Sequence, residues 1–166
     1  MPRSFILAPL AKTQADQALP VVQTLHRDMT LDEWRQVAAL FLQDGGDGGV
    51  MACEMSDGHI RGLFCYRVSA EGMIRVLTVP IFIAVGLFDA AVTSAAQADG
   101  IDLLARKLGC STVVVDERGC VVAATAPKLD AAGLFSRLGY RRVGQAFVKD
   151  VAAGFGGEGY PVAGRA

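Results

Sequence analysis

Asp116 and Glu117 close a short β-branched run, Ser111-Thr-Val-Val-Val115. Adjacent carboxylates at a strand end can bind an ammonium or accept its proton through water. A solvated turn leaving a strand is written in the same letters, and the residues alone leave both readings open. Other chemistry-bearing side chains are thinly spread. Cys53, Cys65, Cys110 and Cys120 follow no C-x-x-C spacing, and three lie in strand-like runs, so they read as buried free thiols rather than disulfides or zinc ligands. Cys110 has no neighbour in sequence that would lower its pKa, which argues against a nucleophile. His26 and His59 are the only histidines, too few for a metal site with these cysteines. His59 reads as a hairpin surface residue and Glu71 as a turn residue. The triplet His26-Arg27-Asp28 matches a kinase catalytic loop. A 166-residue chain without a glycine-rich nucleotide loop cannot be that domain.

These residues need a scaffold, and the stretch from Met73 to Cys110 supplies its centre. No charged side chain occurs between Val76 and Phe88, where β-branched and aromatic residues dominate. Such a run is buried on both faces and predicts a central strand. Pro80 lies inside it and cannot donate to a ladder, so it requires an edge, a bulge or a place where two strands part. Asp89 is a suitable N-cap for the following helix, and Gly109 a suitable C′ residue. Val92, Ala96, Gly100, Leu104 and Leu108 recur every four residues, which predicts a stripe facing the sheet. Strand, turn and helix N-terminus together are the usual seat of an anionic cofactor in an α/β protein. Gly86 can lend its N–H to such an anion or serve as the flexible exit of the strand.

Around that centre the chain divides into further strands and helices. Residues 4–10 predict a first strand. The span from Thr13 to Leu42 is helical, broken by Pro20, with Thr30 and Glu33 as a capping box. After the glycine-rich loop 44–49, Val50–Met55 and Ile60–Val68 form a hairpin through Asp57-Gly58, and the central strand completes a meander. Ser111–Val115, reached through a helix, predicts a parallel partner by right-handed crossover. Gly119–Ala126 reads as a strand, with a hairpin return as one way to place it. Asp130–Leu138 predicts a helix, and Tyr140–Asp150 a final strand. Arg106-Lys-Leu-Gly-Cys110 and Ser136-Arg-Leu-Gly-Tyr140 share one design, a cation in the last turn and then glycine in the left-handed region.

Composition sets the outer bounds. Hydrophobic residues make up 52% and charged residues 20%, which argues for a folded core over disorder. The net charge of −1, without a basic stripe, argues against a nucleic-acid partner. No apolar run reaches the roughly 20 residues of a membrane helix, and the N-terminus lacks the features of a secretory signal. A cytoplasmic protein is the expectation, with residues 1–150 as one domain and 151–166 as a Gly-rich tail.

The run Leu134-Phe135-Ser136-Arg137-Leu138-Gly139-Tyr140-Arg141-Arg142-Val143-Gly144 resembles the C-terminal motif of the GNAT superfamily of acyl-CoA-dependent N-acyltransferases. That motif reads leucine-tyrosine-x-lysine-leucine-glycine-phenylalanine with a later glycine. Asp57-Gly58-His59-Ile60-Arg61-Gly62 is similar to the family's second hairpin. The resemblance implies an α/β (α+β) fold: a GNAT-like mixed sheet with an antiparallel meander, a central strand, a crossover helix and a parallel fifth strand. It implies acyl transfer from acetyl-CoA or another acyl-CoA to an amine on a small molecule or protein, and a homodimer is compatible with it. The alternative is a catalytically inactive GNAT-fold module that binds a ligand or a protein.

The implied cofactor contacts are Ile83, Val85, Gly86, Ala91 and Thr93, and the implied catalytic set is Asp116, Glu117 and Tyr140. Two departures stand out. The family's signature, arginine or glutamine, two residues, glycine, one residue, glycine or alanine, is absent: Phe88 takes the arginine's place, and Ala91 and Thr93 take those of the glycines. Asp89, as a helix cap, would also set its carboxylate against the cofactor's phosphates. Phe135 replaces the tyrosine that protonates the leaving thiolate, so a restored phenol there would be expected to raise turnover. Tyr140, in the place of an aromatic core residue, is the phenol left to stand in for it.

Overall fold

The computed structural model describes residues 5–43, 47–85, 90–123 and 130–151. Gly86, Phe88, Asp89 and the tail from residue 152 onward lie outside the described residues. Eight strands form one mixed sheet: β1 (Phe5–Pro9), β2 (Gly48–Met55), β3 (Ile60–Glu71), β4 (Ile74–Val85), β5 (Thr112–Asp116), β6 (Cys120–Ala123), β7 (Arg141–Val143) and β8 (Ala146–Asp150). Their spatial order is β1-β2-β3-β4-β5-β8-β7, with β6 also paired to β4. β1 to β4 are successively antiparallel and β5 is parallel to β4, as the meander and crossover require.

Helices cover both faces. A 3-10 helix (Lys12–Ala18), α1 (Leu19–Val22) and α2 (Leu31–Phe41) pack on one side, where Val22, Trp34 and Phe41 meet Val50, Leu63, Cys65 and Ile83. The Trp34 indole donates to the Ala15 carbonyl at 2.7 Å and so fixes the 3-10 helix to α2. Pro20 begins α1 rather than breaking a longer helix, because a first-turn proline has no intrahelical donor to lose. Thr30 and Glu33 form the expected capping box, at 3.2 and 3.0 Å. On the other side α3 (Ala90–Lys107) and α4 (Ala131–Arg137) pack over Phe64, Leu77, Val79, Phe82, Ala84 and Val113.

Pro80 lies in a bulge. Between Cys65 and Arg67 on β3, β4 advances from Ile81 back to Thr78, so it carries one extra residue. The consequence is a change of parity. Leu77 and Val79 face α3 before the bulge, and Phe82 and Ala84 face it afterwards.

Two segments differ from the sequence expectation. β6 does not return as a hairpin. A 3-10 turn, Glu117–Gly119, steps the chain sideways without reversing it, and β6 continues parallel to the second half of β4. The expected final strand is two strands, because Gly144 adopts φ 60° and folds β7 back on β8.

Gly109 and Gly139 have φ values of 73° and 90°, as expected of residues that close helices. Gly139→Val is expected to destabilise the protein by more than the ~1 kcal/mol typical of helix propensity, since a β-branched side chain suits this region poorly. The midpoint of chemical denaturation measures it, and an unchanged midpoint would contradict the helix end.

Candidate functional site

The inward face of α3 is not the stripe that periodicity suggests. Of the expected stripe, Val92 is 56% exposed, while Leu104 and Leu108 are partly buried against the core. The buried side chains are Thr93, Ser94, Gln97, Ala98, Ile101 and Ala105. Among the described residues the fully buried polar side chains are Thr93, Ser94 and Gln97, all in the first half of one helix. A purely structural helix–sheet contact would be apolar there.

Gln97 crosses to the sheet. Its Nε2 donates to the Ile83 carbonyl at 3.1 Å and to the Leu63 carbonyl at 3.4 Å, bridging the paired residues of β3 and β4. Because the amino group must face those carbonyls, Oε1 faces away from them, and it has no hydrogen-bond partner in the structure. Thr93 Oγ1, one turn nearer the helix N-terminus, is also buried without a partner. Each such oxygen costs about 1–3 kcal/mol while unfilled. Gly62 makes the arrangement possible, since a Cβ there would stand 1.7 Å from Gln97 Oε1 and 2.7 Å from the Ile83 carbonyl oxygen. No acidic residue occurs in the first turn of α3, whose N-terminal N–H groups and dipole favour an anion, but Asp89 directly precedes that turn in the sequence and its charge opposes one.

The residues singled out by sequence divide between two places. Thr93 is in the polar face, and Ala91 is in the first turn of the same helix. The Ile83 side chain points into the opposite core, leaving only its backbone toward α3, where Gln97 takes its carbonyl. Val85 ends β4, paired with Ala123. From Phe82 to Ala84, β4 has a strand on each edge, β3 on one side and β6 on the other.

The carboxylates stand farther back along the seam. Val115 pairs with Val79, so Asp116 lies level with Pro80, about 10 Å along β4 from Ile83. Asp116 Oδ1 accepts the Arg118 N–H at 2.9 Å, which leaves its other oxygen to accept a proton. Both Glu117 oxygens are engaged by Arg142, at 2.6 and 2.5 Å, and its N–H donates to the Gln145 carbonyl. Glu117 is thus a brace for the β7–β8 hairpin.

Tyr140 is buried. Its hydroxyl donates to Asp102 at 3.4 Å, and Asp102 pairs with Lys149 at 2.7 Å. Burial, reinforced by the Asp102 charge and hydrogen bond, pushes its pKa well above the usual phenol range. The four thiols are free; burial raises all of them, Cys53 to about 11 and Cys65 and Cys120 to about 12. No cluster of three metal-ligating side chains occurs among the described residues, and none of their helices is long and apolar enough to cross a membrane.

Solved structures place this architecture. An acetyltransferase of the GNAT family from Staphylococcus aureus Mu50 superposes with a TM-score of 0.69 at 6% identity, covering 90% of this chain and 100% of that one. Aminoglycoside 6'-acetyltransferase type Ii gives 0.68 at 10% identity, covering 89% and 97%. A Trypanosoma brucei acetyltransferase gives 0.63 at 14% identity, covering 84% and 94%. No family model and no curated protein matches the sequence. The chain therefore has the fold of the GNAT N-acetyltransferases, carried by a sequence far from theirs.

Gln97 and Gly62 were not legible as site residues. Their signal was the polar trio Thr93, Ser94 and Gln97 on the face that also carries Ile101 and Ala105, and the apolar stripe of Val92 and Leu104 competed with it. Phe135, read as a degenerate acid, is a hub of the core. Its ring meets Phe82 at 5.2 Å, Tyr140 at 4.9 Å and Phe147 at 5.1 Å, and it is fully buried. Phe135→Tyr would add a hydroxyl inside this aromatic cluster. A loss of about 1–3 kcal/mol in denaturation free energy is expected in place of a gain in turnover. An unchanged stability would show that the new hydroxyl finds a partner.

Proposed function

We propose that this chain is an acyl-CoA-dependent N-acyltransferase, moving an acyl group from acetyl-CoA or a related thioester to an amine on a small molecule or a protein. The observation that carries the reading is the polar underside of α3. Two buried oxygens with unfilled hydrogen-bonding capacity, on Thr93 and Gln97, lie behind a helix N-terminus at the end of a parallel strand. That is where α/β sheets hold anionic ligands. The cofactor supplies the activated acyl group, and its phosphates would sit at the α3 N-terminus near Ala91 and Thr93.

In the transfer, the amine nitrogen bonds to the thioester carbonyl carbon and the carbon–sulfur bond breaks. The amine's proton passes to Asp116 through water, and the thiolate is protonated by solvent. Phe135 has no proton to give and the Tyr140 hydroxyl is bonded to Asp102. Loss of a positioned acid typically costs about 10²–10⁴ in rate, so slow turnover is expected, resting on proximity and orientation.

The second reading is a GNAT-fold binding module without transfer. It is favoured by the pairing of β4 on both edges, which occupies backbone N–H groups that would otherwise polarise a carbonyl. Calorimetry with acetyl-CoA and a thiol-release assay over a panel of amines separate the two. For the enzyme, Thr93→Val should weaken acetyl-CoA binding, and Asp116→Asn should lower turnover about 10²-fold or more with binding unchanged. Binding without thiol release for any amine would favour the module. No binding at all would remove the acyltransferase and leave a module for another ligand or a protein.

A further inference from the structure

We propose that β6 is a displaceable strand occupying the ligand cleft at the end of β4, and that acyl-CoA binds by driving it off. The inference rests on the acyl-CoA reading above. In an open sheet the ligand crevice lies beyond the carboxyl ends of parallel strands. Here β5 leaves β4 after the Val79–Val115 pair, and the place it vacates is filled by the chain's own next segment, Phe82–Val85 pairing with Cys120–Ala123.

The junction is built to separate. Two residues of β4, Pro80 and Ile81, face four of the other chain, Asp116 to Gly119, so the ladder is interrupted between β5 and β6. Pro80 has no N–H to contribute at that point. The hydrogen bonds of the turn run to its own residues and to the β7–β8 hairpin. Asp116 Oδ1 takes the Arg118 N–H, the Glu117 N–H goes to Gln145, Glu117 pairs with Arg142, and Cys120 Sγ donates to the Asp116 carbonyl at 3.2 Å.

Against β4 the turn makes a steric contact, with Gly119 so close that a Cβ would stand 1.8 Å from the Pro80 carbonyl oxygen. β6 itself has β4 as its one strand partner among the described residues. Leaving β4 also withdraws Cys120 and Val122 from the core under α3 and α4 and Val121 from the core under α1 and α2, while the turn stays anchored to the hairpin. The departure of β6 would free the edge of β4 opposite β3, under the same helix that carries the unfilled oxygens of Thr93 and Gln97, the latter lying over Gly62 on β3. In the closed form the apparent affinity for acyl-CoA is reduced by the fraction of molecules in which the edge is free.

Amide hydrogen exchange on the full chain, with and without saturating acetyl-CoA, tests the inference together with calorimetry of wild type and Gly119→Ala. The added methyl must lift the turn from Pro80 and loosen β6. Expected are faster exchange at Val121–Ala123 in wild type when acetyl-CoA binds, and about tenfold tighter binding by Gly119→Ala, the gain from a tenfold larger open fraction. Slowed or unchanged exchange on binding, with no tightening in Gly119→Ala, would make β6 a permanent strand and leave the acyl-CoA reading standing. If acetyl-CoA bound neither protein, both the reading and the displaceable strand would fall. Should Gly119→Ala not fold, exchange in wild type decides alone.

Discussion

Pro80 lacks an N–H, and much of the molecule is arranged around that missing donor. β4 is the central strand, where a proline is least tolerated. The bulge at Pro80 resolves the conflict and, in doing so, turns the strand over. Phe82 and Ala84 come to face α3, and Ile83 is sent into the core beneath α1 and α2. The Ile83 carbonyl is then presented to Gln97, and Gly62 opposite supplies the room for that amide. On the other edge the ladder to β5 stops at the same level, and Gly119 presses on the Pro80 carbonyl as β6 takes over.

The underside of α3 is where local stability is given up. Thr93 and Gln97 bury oxygens without partners in a position where leucine or valine would pack better. Sequences break local rules in this way mainly at functional or strained sites. The second half of the helix compensates. Ile101 and Ala105 are buried in the core, the Arg75 side chain donates to the Leu108 carbonyl at 3.1 Å, and Asp102 holds Lys149 and Tyr140. One end of α3 is thus tied to the sheet and to β8, and toward the other end two side-chain oxygens, of Thr93 and Gln97, are buried without a partner.

The aromatic cluster explains why one degenerate motif position does not weaken the fold. Phe135 joins α4 to β4 and β8 through three rings. At this position the phenylalanine serves the core. Tyr140 cannot stand in as the acid, because its hydroxyl is committed to Asp102 and burial opposes its ionisation. Only the GNAT fold is held in common with the acetyltransferases of known structure, and the chemistry has to be argued from these side chains.

Sequence by itself determined the elements whose signals are local. The Thr30–Glu33 capping box, the Asp57-Gly58 turn, the helix-closing glycines at 109 and 139, and the charge-free run of the central strand each depend on neighbours a few residues away. It also required a bulge or a parting at Pro80, because a missing N–H is a property of the residue. Tertiary structure decided the rest. Which face of α3 is buried depended on Gly62 and on the parity of β4, some 14 to 35 residues distant in the chain, the Gln97 bonds alone spanning 14 and 34. Whether Cys120–Ala123 turned back or ran on beside β4 was settled by pairing with Phe82–Val85, at a step where Gly119 meets Pro80. Glu117 became a brace only because Arg142 arrived from β7. A side chain's type sets what it can do, and the long-range partner that meets it decides what it does.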